Sequence, residues 1–125
     1  MLDRRHRLTS SAGFTEATRR GRRAASRTLV VHVSARRSGN AADEEPQVGV
    51  VVGRAVGGAV ARNRVKRRLR HLARARLDRL PRSTMVVLRA LPPAADASSR
   101  TLAGDLDSAL SRLGPQAYVR EGGSR

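Results

Sequence analysis

From Val65 onward, apolar residues recur at helical spacing: Val65, Leu69, Leu72, Ala73, Leu77 and Leu80 fall on one side of a helix at about 100° per residue. The pattern predicts a helix from about residue 58 to 80, with Gly57 and Gly58 punctuating its start and Pro81 its end. A second stripe, Leu102, Leu106, Ala109, Leu110 and Leu113, predicts a helix capped by Ser98 or Ser99 and stopped by Gly114 and Pro115. A weaker one places Phe14 with Ala17 and Thr18 in a helix over 10–20, which Gly21 ends; an ordinary core contact is the default for this phenylalanine. Period-two or continuous apolar runs predict strands over 28–34, 47–53 and 84–89. In the first, Leu29, Val31 and Val33 share one face, with Val30 and His32 on the other. Arg19 to Arg23 reads as a basic turn, Ser38 to Pro46 as an exposed connection and Leu91 to Asp96 as a loop. The order of helix, strands, helix, strand and helix predicts an α+β sandwich, helices packed on a small sheet.

Charge changes the picture most around the central helix. The chain has 125 residues with 26 Lys plus Arg against 10 Asp plus Glu, a net charge of +16 spread over most of its length. Arg62, Arg64, Lys66, Arg67, Arg68 and Arg70 crowd into nine residues without an acid, a repulsive cluster whose natural partner is a phosphate backbone. All cations except Lys66 are arginines, whose planar fork suits phosphate contacts and base stacking, although coding bias explains the preference equally well. The length fits one domain, and 116–125 reads as a polar tail, expected to be disordered. Cysteine is absent, which removes disulfides, thiolate nucleophiles and cysteine-based zinc sites. No apolar run is long enough to span a membrane and no signal peptide follows Met1, so a cytoplasmic protein without membrane association is expected.

Candidate catalytic chemistry is sparse. His6, His32 and His71 lie on three different predicted elements, none beside an acid or serine that would form a nucleophile or general-base pair. Asp43, Glu44 and Glu45 occupy a connection, while Asp105 and Asp107 point to opposite sides of a helix and read as solvating charges. Gly53, Gly57 and Gly58 match neither a Walker loop nor a dinucleotide fingerprint. No catalytic or metal-ligating residue is assigned to the protein.

The stretch V-G-V-V-V-G-R-A-V-G-G-A-V-A-R-N-R-V-K-R-R-L-R resembles the signature of the protein component of bacterial ribonuclease P, centred on Arg62, Asn63 and Arg64. R-L-T-S-S-A-G-F near the start, R-T-L-V-V-H-V, M-V-V-L-R-A and the final amphipathic helix resemble the same family in the same order, so the likeness covers about residues 4–113. The resemblance implies a mixed sheet of about four strands flanked by three helices, in the order α-β-β-β-α-β-α, with a left-handed crossover between the last two strands. It further implies one RNA-binding domain over 1–115, a protein inactive alone, and a catalytic RNA subunit that uses Mg2+ to remove the 5′ leader of precursor tRNA. No cofactor is implied on the protein itself, and DNA is not an implied partner. Carried over, Arg62, Asn63, Arg64, Lys66, Arg67, Arg68 and Arg70 contact the catalytic RNA or help hold magnesium nearby, and Phe14, His32, Arg54 and Arg89 match positions on or near the leader cleft.

Three positions depart from the family pattern: Thr18 replaces a second aromatic, His32 stands where tyrosine is common, and Gly58 replaces an asparagine. Weaker base stacking is the expected consequence, with arginine and charge carrying more of the leader contact. A ribosomal or other structured-RNA-binding protein shares the charge, the size and the missing active site. It is separated only by the Arg-Asn-Arg context and the order of the flanks. A DNA-binding nucleoid protein is disfavoured by the lack of helix-turn-helix spacing or a dimerisation heptad.

Overall fold

A computed structural model describes residues 21–35, 46–80 and 84–113. They form β1 (Arg22–Ala25), β2 (Leu29–Ala35), β3 (Gln47–Val51), α1 (Ala59–Ala75), a 3₁₀ turn (Leu77–Arg79), β4 (Thr84–Ala90), a second 3₁₀ segment (Pro92–Asp96) and α2 (Ser99–Leu113). The strands make one mixed sheet in the order β1-β2-β4-β3, with β3 parallel to β4 and the other pairs antiparallel. This is the expected α+β class with a four-stranded mixed sheet, and two helices lie among the described residues. The expected helix over 10–20, with Phe14, and the tail over 116–125 lie outside them.

One sheet face carries the core. Leu29, Val31 and Val33 of β2, Val86 and Leu88 of β4 and Val48 of β3 are all at most 2% exposed. Val65, Leu69 and Ala73 of α1 and Leu102, Leu106, Ala109, Leu110 and Leu113 of α2 close over them, so both helical stripes bury as their periodicity predicts. The opposite face, with His32, Ser34, Met85 and Val87, is buried too, although only Met85 and Val87 of these are apolar.

Four elements depart from the sequence expectation. The basic turn at Arg19 to Arg23 gives way at Arg22 to β1, where only Ala24 points into the core; its strand state comes from pairing with β2, and its exposed arginines suit a sheet edge. The strand over 47–53 stops at Val51, because Val52 turns inward and Gly53 to Gly57 form linked turns in which Val56 N–H donates to Gly53 and Gly57 N–H to Arg54. The central helix ends at Ala75 rather than Leu80. Arg76 leaves helical geometry, its side chain bonding Asp107 through Nε at 2.6 Å and Nη2 at 3.1 Å, and the 3₁₀ turn then delivers Leu80 to the core. The loop after β4 coils into the second 3₁₀ segment, which buries Ala94.

The two helical aspartates are structural ties rather than solvating charges. Asp105 accepts from the backbone N–H of buried Thr28 at 3.1 Å and from its hydroxyl at 2.6 Å, fastening α2 to the β1–β2 turn. Asp107 takes both Arg76 and Arg79, and these hydrogen bonds hold its carboxyl below the usual carboxylate range. At the other end of α2, Arg112 donates to the Ala25 carbonyl at 2.6 Å.

Candidate RNA interface

The β3–α1 connection sets where the basic helix begins. Gly57 has φ +156°, and a Cβ there would meet the Ala61 Cβ at 3.1 Å, so the turn favours glycine. Gly58 serves as the N-cap without a side-chain bond, a loss of only a few tenths of a kcal/mol relative to asparagine. No acid occupies the first turn of α1, which leaves the positive end of the helix dipole unopposed locally.

Along α1 the buried stripe of Val65, Leu69 and Ala73 points one way, and Arg64, Arg67, His71 and Arg74 point within about 40° of the opposite direction by helical geometry. Asn63, Arg64, Arg67 and Arg74 are exposed, Lys66 and Arg70 half-exposed. The sequence-predicted set is therefore brought onto one helix but not onto one face. Arg62 sits beside the buried stripe, half-buried, with its Nε buried and without a hydrogen-bond partner among the described residues. Arg68 donates through Nη1 to the Ala97 carbonyl at 2.9 Å, tying α1 to the segment before α2. These two cations therefore do not stand clear of the packing. Arg74 and His71, outside the predicted set, share the exposed surface, and their helical spacing from Arg67 was the signal that could have found them.

The predicted leader residues separate in a similar way. His32 and Arg89 lie on the second sheet face on neighbouring strands, where His32 faces Val87 and Arg89 faces Val30. Arg23, directly opposite His32 on β1, joins them and was missed, since nothing in a short R-R-A-A run signals a strand. Arg54 occupies the exposed turn beyond β3, at the end of the sheet where Arg89 faces Val51. Phe14 lies outside the described residues.

Burial, reinforced by Arg23 and then Arg89, lowers the pKa of His32 from its ordinary 6.5, and its Nε2 is buried without a partner among the described residues. Between the lowered folded pKa and 6.5 the unfolded chain binds the extra proton, so this contribution is complete above pH 6.5 and is lost as pH falls toward the folded value. Unfolding free energy measured by denaturant titration is expected to decline below about pH 6.5, by at most about 1.4 kcal/mol per pH unit from this group, and His32→Phe should flatten that limb. An unchanged limb in the variant would refute the assignment. Asp107, shifted the opposite way relative to its charge, acts in a separate acidic window below its ordinary 3.8.

Among the described residues no three histidines, aspartates or glutamates cluster as a metal site. No described helix is long and apolar enough to cross a membrane.

The chain is similar to known proteins over most of its length. A family model described as Ribonuclease P matches residues 2–114. A ribonuclease P protein component from a Nocardioides species is 54% identical over 93% of this chain and 97% of its own length. The one from Acidothermus cellulolyticus is 50% identical over 90% and 92%. In fold the chain is similar to the RNase P protein of Staphylococcus aureus, with a TM-score of 0.75 at 23% identity over 86% of this chain and 94% of that one. The RNase P protein of Thermotoga maritima gives 0.72 at 21% identity over 86% and 97%. The likeness therefore runs through the basic helix, the mixed sheet and the final helix alike, and the chain belongs to the ribonuclease P protein family.

Proposed function

We propose that this chain serves ribonuclease P by holding the catalytic RNA on the outward face of α1 and the single-stranded leader of precursor tRNA on the second sheet face. The observation that carries the reading is the division of α1 itself: Val65, Leu69 and Ala73 are sunk in the core while Asn63, Arg64, Arg67 and Arg74 stand exposed, with no acid in the helix. A rigid helix presenting cations in register positions itself on phosphates without reading sequence. Lys66 and Arg70 flank that face. Arg62 and Arg68 act partly through the fold, by their burial and by the bond to Ala97. On the second surface Arg23, His32 and Arg89 supply charge and a buried imidazole, with Arg54 at the sheet end; Phe14 belongs there by family resemblance.

Hydrolysis in this reading belongs to the RNA and its Mg2+. The protein's helical carboxylates suit no metal, because Asp105 is bonded to Thr28 and Asp107 to two arginines. The same reading carries one domain over 1–115, a helix over 10–20, a left-handed β3–α1–β4 connection and action in the cytoplasm. The test is reconstitution. Protein freed of RNA is expected to leave precursor tRNA intact, and added to its cognate RNA it is expected to raise cleavage at low magnesium. Cleavage by the protein alone would move the chemistry onto the polypeptide and overturn the proposal.

A further inference from the structure

Beside the outward face of α1 runs a groove of about 330 Å³, lined by Arg67, Arg68, His71 and Leu72 of α1 and by Ser99 at the start of α2. Its volume is at the lower end of the roughly 300–1,000 Å³ typical of small-molecule sites, room for one nucleotide-sized group rather than a helical duplex. Leu72, half-buried, supplies an apolar floor, and the rim is cationic. Arg68 is tethered at the groove by the bond from its Nη1 to the Ala97 carbonyl, which restrains its guanidinium. Arg67 and His71 make no hydrogen bond or ion pair among the described residues and also belong to the exposed face, so the groove continues the basic surface without a break.

An apolar floor beside planar guanidinium groups, one of them tethered and one free, is the chemistry that takes an unstacked base and its phosphate; paired RNA offers no base face to such a floor. We infer that an unpaired nucleotide of the catalytic RNA docks in this groove, its base over Leu72 and its phosphate on Arg67 and Arg68, extending the RNA footprint from α1 onto the first turn of α2. The inference rests on the proposed RNA-binding role of α1.

The test compares two variants of equal charge. Ser99→Glu puts a carboxylate in the groove at a helix start, where acids are tolerated, and Ser108→Glu puts one on the exposed far side of the same helix. With cognate catalytic RNA, S99E is expected to bind roughly tenfold more weakly than S108E. Chemical probing of the RNA in the complex is expected to show an unpaired nucleotide protected by wild type and by S108E but re-exposed with S99E, at unchanged melting temperatures. Equal affinities for the two variants, an unaltered probing pattern with S99E, or protection appearing on precursor tRNA instead would each overturn the groove assignment while leaving α1 binding intact. Failure of the wild type to bind the catalytic RNA would overturn both.

Discussion

Raising monovalent salt from roughly 50 to 200 mM is expected to weaken assembly with the catalytic RNA by on the order of a thousandfold, the loss that about six phosphate contacts produce through counterion release. The number of contacts follows from the helix. Arg64, Arg67 and Arg74 are exposed on α1, Lys66, Arg68 and Arg70 are half-exposed, and no acid lies among them to cancel their field. The described ion pairs are made elsewhere, by Arg76 and Arg79 with Asp107, so screening has little to release within the protein itself. Filter-binding or fluorescence titrations at several salt concentrations give the log–log slope directly. A slope near zero would mean that the basic face is a solvated surface rather than a phosphate-binding one. Each single charge removed from the face should reduce the slope by roughly one.

What sequence alone revealed was what local periodicity controls. The stripes Val65–Leu69–Ala73 and Leu102–Leu106–Ala109–Leu110–Leu113 are buried because a helix carries its own register, and for the same reason Asn63 and Arg64 are exposed while Arg62 is half-buried beside the stripe. What escaped depends on partners far away in the chain. β1 is a strand because β2 pairs with it, and four residues that are half arginine carry no strand pattern of their own. The central stripe continues to Leu80, yet the helix stops at Ala75 because the arginine that follows is drawn to Asp107 on α2. Apolar spacing located the core residues correctly and misjudged the backbone that delivers them. The second sheet face gathers Arg23, His32 and Arg89 from different strands, a juxtaposition that exists only once the β1-β2-β4 order is known. Family resemblance named His32 and Arg89 without supplying Arg23 or the burial that lowers the histidine's pKa.

Arg64 and Arg67, replaced together by alanine, are expected to lower affinity for the catalytic RNA by roughly a hundredfold or more, since each loses a charge-assisted phosphate contact. Melting temperature should stay unchanged, because both side chains are exposed and neither bonds to the rest of the protein among the described residues. Arg68→Ala should behave differently. Its guanidinium holds the Ala97 carbonyl at 2.9 Å in a partly buried position, so the variant should lose RNA affinity and also about 1 to 3 kcal/mol of stability. Calorimetry on both variants, alongside RNA titrations, separates a purely external contact from one that also braces α1 against the approach to α2. The paired substitution Arg64→Lys with Arg67→Lys isolates the remaining step: it keeps the charge, so the salt slope should survive, but it removes the planar fork and leaves affinity below wild type. If the alanine pair proves as destabilising as Arg68→Ala, or leaves RNA binding intact, the division of α1 into a buried and a phosphate-binding side is wrong.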